Sequence, residues 1–173
     1  MAIHIIVDGY NFIRQSKSFR GLDQQSLQMG RDALIDALAA YKRLKSHKIT
    51  VVFDGADAPY LGLSRARDNG IQIQFSRFGE SADSVIKRLA RTERQKALIV
   101  SSDRDVVQSC EAYGAASISA DGFENKIVLA VEMQNDGDEI EEQTGWKPTT
   151  KKKGPRRRLS KRKRRNKSKT RKL

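Results

Sequence analysis

The sequence predicts an α/β fold, a three-layer sandwich around a mostly parallel central sheet of about four or five strands, followed by a disordered basic tail. Apolar runs of a few residues alternate with amphipathic stretches up to residue 135. Most runs are apolar throughout, which is typical of strands buried on both faces of a parallel sheet. Of the 34 Lys and Arg residues among 173, sixteen lie in residues 147–173, which contain no acidic residue.

The first half of the chain contains three predicted strands and one long helix. Residues 3–7 form a β-branched run, too short for a helix, that stops at an Asp-Gly turn signal. Residues 27–45 carry apolar side chains at three- and four-residue spacing, which predicts a helix with one buried stripe. Residues 49–53 form a second apolar strand, and residues 55–70, with a proline, three glycines and mixed charge, are predicted as a loop. Residues 71–75 alternate apolar and polar side chains, as in a strand with one wetter face.

The second half continues the alternation. A helix is predicted over about residues 82–94, because a serine suited to N-capping precedes an apolar stripe. Residues 97–100 form an apolar strand that ends at Ser-Ser-Asp. A short helix then stops at Gly114, a suitable C-cap. Residues 117–119 are the last predicted strand and residues 123–133 the last predicted helix.

Charge and composition divide the chain into three regions. Residues 1–135 form the predicted folded domain, residues 136–146 an acidic linker, and residues 147–173 a basic tail. The first 146 residues hold 18 basic and 21 acidic side chains, a formal charge of −3, against +16 for the tail. The tail has almost no apolar residue, so it is expected to be disordered on its own.

Several protein classes are excluded by composition. No apolar run approaches the roughly 18 residues of a membrane-spanning helix. The N-terminus, Met-Ala-Ile-His, lacks the basic and apolar regions of a secretory signal. A single cysteine, Cys110, allows no internal disulfide and no thiolate metal cage. We therefore expect a cytoplasmic protein without a membrane partner.

Aspartates follow the predicted strands. Asp8, Asp54 and Asp103 each come just after an apolar run, Asp83 lies in the first turn of a predicted helix, and Asp105 follows two residues after Asp103. The carboxyl ends of parallel strands share the edge at which α/β proteins bind ligands. Clustered carboxylates repel one another unless a cation lies among them, and hard oxygen ligands favour Mg²⁺ or Mn²⁺. Each aspartate also has a simpler alternative role, as a cap for the next turn or helix.

Four ordered motifs resemble the NYN domain family, and its YacP-like branch in particular. The resemblance spans about residues 3–135, and the basic tail lies outside the pattern. NYN domains are relatives of the PIN-domain nucleases. The motifs are Ile5-Ile6-Val7-Asp8-Gly9-Tyr10-Asn11, Val52-Phe53-Asp54-Gly55, Gly79-Glu80-Ser81-Ala82-Asp83 and Val100-Ser101-Ser102-Asp103.

The resemblance implies a metal-dependent endoribonuclease. By matching position, Asp8, Asp83 and Asp103 are expected to be catalytic and to hold Mg²⁺ or Mn²⁺. Three further residues are expected to support them: Asn11, Asp54 and Asp105. The resemblance also implies cleavage of messenger RNA at the ribosome, with the ribosome as a partner.

RNA is the expected partner and substrate, and no small-molecule substrate is expected. Basic side chains near the predicted edge are candidates for holding phosphates, Tyr10 is a candidate for stacking on a base, and the tail is expected to bind phosphates without sequence preference. Solvated surface charge and packing are the simpler alternatives. The candidates are Tyr10, Arg65, Arg67, Arg77, Arg104, Lys151, Lys152, Lys153, Arg156, Arg157 and Arg158.

Two other functions stay open from the sequence. One is a catalytically silent module that binds RNA or ribosomes, although the aspartates argue against it. The other is a structure-specific DNA nuclease of the PIN-like group, because phosphate chemistry does not distinguish the sugars. A phosphatase with an aspartyl nucleophile is disfavoured, since it needs Asp-x-Asp where this chain has Asp8-Gly9-Tyr10.

Overall fold

A computed structural model of the protein describes residues 3–55, 65–135 and 160–173. Every predicted strand and helix is present, and a short 3-10 helix at Arg94–Lys96 leads into the fifth strand. The elements are β1 (His4–Asp8), α1 (Gly9–Gln15), α2 (Arg20–Gln25), α3 (Leu27–Leu44), β2 (Lys48–Phe53), β3 (Arg65–Asp68), β4 (Ile71–Phe75), α4 (Ala82–Glu93), β5 (Ala97–Val100), α5 (Arg104–Ala112), β6 (Ala116–Ile118), α6 (Ala120–Asn135) and α7 (Lys161–Thr170).

The strands form one six-stranded sheet in the order β3-β4-β2-β1-β5-β6. Only the edge strand β3 runs antiparallel to its neighbour. The other five are parallel, with β1 at the centre between β2 and β5. Their carboxyl ends therefore lie along one edge of the sheet, here called the carboxyl edge.

Both faces of the sheet are covered. Successive residues of a strand point to opposite faces, so Ile5 and Val7 pack with α1, α3 and α6, whereas Ile6 packs with α4 and α5. This arrangement confirms the predicted three-layer sandwich. None of the helices in the described ranges combines the length and the hydropathy of a membrane-spanning segment.

One strand lies within the predicted loop. β3 spans Arg65–Asp68 and pairs with β4, while residues 56–64 lie outside the described part of the chain. All four residues of β3 are exposed, so the strand has no apolar pattern. Asn69 and Gly70, with φ angles of 47° and 81°, make the tight turn between the two strands.

The last part of the basic tail is also ordered, which differs from the expectation of disorder throughout residues 147–173. The helix α7 packs on β6, and Leu173 is buried in the core. Arg165 donates to the carbonyl of Gly114 (2.8 Å), and Lys169 donates to the carbonyl of Ala97 (2.9 Å). Contacts with the domain thus supply the ordering that the composition of the tail alone does not provide. The acidic linker and residues 147–159 lie outside the described residues.

Candidate functional site

A pocket of about 580 Å³ opens at the carboxyl edge. Side chains from β1, β2, α1, α4 and the segment before α5 line it. We call it the acidic pocket, because its lining includes four carboxylates: Asp8, Asp54, Asp83 and Asp103. Three strand ends and the first turn of a helix therefore bring these aspartates together, as the strand-end pattern predicts.

Asp8 is the innermost of these carboxylates, with 7% of its surface exposed. It ends β1 and caps α1, since its Oδ1 accepts a hydrogen bond from the backbone N–H of Asn11 (3.4 Å). The helix starts directly at Gly9, where an added Cβ would lie 2.3 Å from the ring of Phe53. A glycine at this position therefore lets α1 begin close to β2 and holds Asp8 at the floor of the pocket.

Ser101 links two of the aspartates and was not singled out from the sequence. Its hydroxyl donates to Oδ2 of Asp8 (3.0 Å) and accepts from the backbone N–H of Asp103 (3.1 Å). Beside it, the side-chain oxygen of Asn11 accepts from the backbone N–H of Ser102 (2.9 Å). These bonds tie the end of β5 to the start of α1. The Ser-Ser-Asp sequence at the strand end was the available signal.

Asp103 and Asp83 belong to the first turns of two helices. Oδ1 of Asp103 caps α5 by accepting from the backbone N–H groups of Asp105 (2.8 Å) and Val106 (3.4 Å). Asp83 is half-buried in the first turn of α4, whose cap is the hydroxyl of Ser81. The capping role that the sequence offered as the simpler alternative is therefore real for Asp8 and Asp103. It coexists with their position in the acidic pocket.

The surroundings of the acidic pocket disfavour the charged form of two of its carboxylates. Burial, together with the charges of Asp83 and Asp103, raises the pKa of Asp8 to about 6, although hydrogen bonds from Ser101 and Asn11 oppose the shift. Burial and the charge of Asp103 also raise the pKa of Asp83, against the attraction of Lys87. A bound cation would relieve this repulsion.

The donor set fits a hard divalent ion, because the acidic side chains supply only oxygen. Asp8, Asp83 and Asp103 are the residues that could hold it. In the described ranges, however, no three His, Cys, Asp or Glu side chains group closely enough to hold a metal ion together. Mg²⁺ keeps several of its waters and is bound through one or two carboxylates directly, so an ion here would contact the other acidic side chains through its waters.

Two of the predicted residues differ from their expected roles. Asp105 does not line the acidic pocket, because its carboxylate is largely exposed and accepts a hydrogen bond from Lys87 (2.6 Å). Tyr10 reaches the pocket but is buried, with its ring 5.0 Å from that of Phe53 and its hydroxyl bonded to Arg31. This packing argues against the base-stacking role considered for Tyr10. Asp54 does line the pocket and accepts from the hydroxyl of Ser76 (3.2 Å).

The predicted phosphate-binding arginines lie at different distances along the sheet. Arg65 is paired with Gln74 near the carboxyl end of β4, and Arg77 follows that strand, so both lie at the carboxyl edge. Arg67 is paired further toward the amino end of β4. Arg104 is exposed next to Asp103 at the start of α5. The predicted tail residues Lys151, Lys152, Lys153, Arg156, Arg157 and Arg158 lie outside the described ranges.

Two polar residues of the pocket lining are not among the predicted site residues. Arg14 and Gln15, at the end of α1, line the acidic pocket. They are absent from the predicted set because no helix was predicted directly after β1. The guanidinium of Arg14 lies 5.8 Å from the ring centre of Tyr10. The lining of the pocket therefore includes a positive charge beside its four carboxylates.

Comparisons with known proteins agree with this architecture. A crystal structure of Rae1 (YacP) from Bacillus subtilis has a TM-score of 0.67 and 25% identity, covering 80% of each chain. A crystal structure of a point mutant of the same protein has a TM-score of 0.66 and 23% identity, covering 80% of this chain and 86% of the other, a likeness in fold alone. "Uncharacterized protein YacP" of Bacillus subtilis (strain 168) is 32% identical over 88 residues, about half the length of either protein.

The match to a family extends further than the motifs did. The model of the YacP-like NYN domain matches residues 5–172. The match therefore includes the basic tail, which lies outside the region spanned by the four motifs. The fold is a PIN-like nuclease fold, and the chain belongs to the YacP-like NYN domain family.

Proposed function

We propose that the protein is a metal-dependent endoribonuclease that cleaves RNA phosphodiester bonds at the acidic pocket. One observation carries the proposal: Asp8, Asp83 and Asp103, from separate parts of a YacP-like NYN domain, line the same pocket at the carboxyl edge. Burial, with a smaller contribution from the charges of Asp83 and Asp103, raises the pKa of Asp8 to about 6, and this unfavourable setting for a carboxylate supports a cation as its partner.

Each residue has a defined role in this proposal. Asp8, Asp83 and Asp103 would hold one or two Mg²⁺ or Mn²⁺ ions, which lower the pKa of a bound water and stabilise charge on a scissile phosphate. Ser101 orients the Asp8 carboxylate and fixes the backbone of Asp103. Asn11 holds the β5 end in place by accepting from Ser102.

The proposed RNA path uses basic groups in two separate places. Arg14 in the acidic pocket, and Arg65 and Arg77 beside it, would contact phosphates near the cleaved bond. The exposed cations of α7 would contact phosphates further away, because α7 is anchored at the amino ends of β5 and β6. The proposal places the protein in the cytoplasm, acting on messenger RNA at the ribosome.

The test is cleavage of labelled RNA by the full chain with Mg²⁺ or Mn²⁺, with and without translating ribosomes. We expect internal cuts that need the divalent ion and are lost in Asp83→Asn. Asp105→Asn is the matched control, because it removes a nearby carboxylate that does not line the acidic pocket. RNA binding without cleavage under every condition would instead support a catalytically silent binding module. Cuts in DNA but not in RNA would support a PIN-like DNA nuclease.

A further inference from the structure

A tight turn at residues 77–80, here called the Phe78 turn, presents an aromatic ring to solvent. The backbone N–H of Glu80 donates to the carbonyl of Arg77 (2.9 Å), and Gly79 has a φ of 76°, as the third residue of a type II turn requires. The side chain of Phe78, second in the turn, is fully exposed. The ring therefore contributes no burial to the folded chain, and both of its faces are open to a ligand.

The Phe78 turn is tied to the helix that follows it. The carboxylate of Glu80 accepts from the backbone N–H of Arg77 (3.5 Å) and forms an ion pair with Arg88 of α4. The hydroxyl of Ser81 caps the same helix. These contacts fix the backbone that carries the ring, so a ligand that packs against Phe78 does not have to order the turn.

A shallow groove of about 730 Å³ surrounds the ring. Three arginines and one glutamate line it, Arg65, Arg77 and Arg88 with Glu80, which leaves two positive charges in excess. Among the described lining residues, Phe78 is the only large apolar side chain. A protein-binding surface usually has an apolar core of several residues, so this composition suits a nucleic acid better.

The groove adjoins the acidic pocket at the first turn of α4. Ala82 and Asp83 line the acidic pocket, while Glu80 and Ser84 line the groove. Both sites lie at the carboxyl edge, because the Phe78 turn follows the carboxyl end of β4. If one phosphate of a nucleic-acid strand faces Asp83, the neighbouring nucleotides would therefore lie across the ring of Phe78.

We infer that the Phe78 turn is a base-stacking subsite for single-stranded RNA, with Phe78 under a base and Arg65 and Arg77 on the flanking phosphates. The choice of RNA rests on the proposed function. A single strand is required, because base faces inside a duplex are already stacked and unavailable to the ring.

The test is RNA binding by the full chain in EDTA, so that the result does not depend on cleavage. The probes are a fluorescein-labelled oligouridine of about twelve nucleotides and an abasic strand of the same length. We expect Phe78→Ala to weaken oligouridine binding by about 5- to 150-fold, with no effect on the abasic strand. Phe78→Leu should bind as weakly as the alanine variant, and Phe78→Trp should restore binding. Because the ring is fully exposed, none of these changes removes a core contact.

Three results would overturn the inference. They are unchanged oligouridine binding in Phe78→Ala, an equal loss on the abasic strand, and full oligouridine binding by Phe78→Leu, which would show that an apolar contact suffices and that no ring stacks on a base. The proposed nuclease activity is tested separately from the stacking subsite. Weak binding by Phe78→Ala with no cleavage by the wild type refutes the nuclease alone, and cleavage with unchanged binding refutes the stacking subsite alone.

Discussion

The buried carboxylate of Asp8 makes the stability of the metal-free protein depend on pH. Its pKa rises from 3.8 to about 6 on folding, so the folded state binds the proton more tightly than the unfolded state does. Stability therefore falls as the pH rises through this window. A shift of about 2 units at 1.36 kcal/mol each gives a full cost of ~3 kcal/mol above the folded pKa. Of this, ~2 kcal/mol develops between about pH 4 and about pH 7.5.

Replacing Asp8 with asparagine removes this cost and keeps a side chain suited to capping α1. We expect Asp8→Asn to become more stable relative to the wild type as the pH rises. The difference between their free energies of unfolding, measured by urea denaturation in EDTA, should grow by ~2 kcal/mol between about pH 4 and about pH 7.5. Asp36→Asn, an exposed carboxylate on α3, controls for the loss of one negative charge. A difference between Asp8→Asn and the wild type that stays constant with pH would show that the Asp8 carboxylate does not cause this pH dependence.

Three further predictions concern the rest of the chain. Neutralising three exposed cations of α7 should reduce the slope of log affinity for single-stranded RNA against log salt by about 2, and an unchanged slope would remove α7 from the RNA path. Leu173→Ala should lower the free energy of unfolding by ~2–3 kcal/mol, because Leu173 is buried in the core; no loss by urea denaturation would show that α7 does not dock. Gly9→Ala should cost ~1–3 kcal/mol in the same assay, because its Cβ would lie 2.3 Å from a phenylalanine ring, and full stability would contradict the close packing of α1. In the first of these experiments, the three α7 residues replaced by glutamine are Arg164, Lys167 and Arg171.

The central sheet and the acidic pocket were predictable because both follow from the apolar strands. Parallel strands buried on both faces are apolar throughout, and an aspartate at such a strand end lies at the shared edge whatever the loops do. This argument located Asp8, Asp54 and Asp103 correctly. It does not extend to Asp105, because capping by Asp103 starts a helix there, and the first turn directs Asp105 toward Lys87 instead.

Two of the missed elements, β3 and α7, lack an apolar pattern of their own. β3 is exposed along its whole length, and only the Asn69-Gly70 turn signalled its pairing with β4. α7 consists almost entirely of polar residues, and its order depends on partners distant in sequence. Among them is Glu111, which pairs with Arg162 (3.2 Å) and accepts from Asn166 (3.1 Å). Contacts of this range cannot be found from local composition.

Calorimetric titration of the full chain with Mn²⁺ would show whether Asp8, Asp83 and Asp103 form one metal site. We predict saturable binding by the wild type, strong loss of binding in both Asp8→Asn and Asp83→Asn, and unchanged binding in Asp105→Asn. A wild type that binds no Mn²⁺, or an Asp83→Asn variant that binds it as the wild type does, would show that these aspartates do not form a metal site.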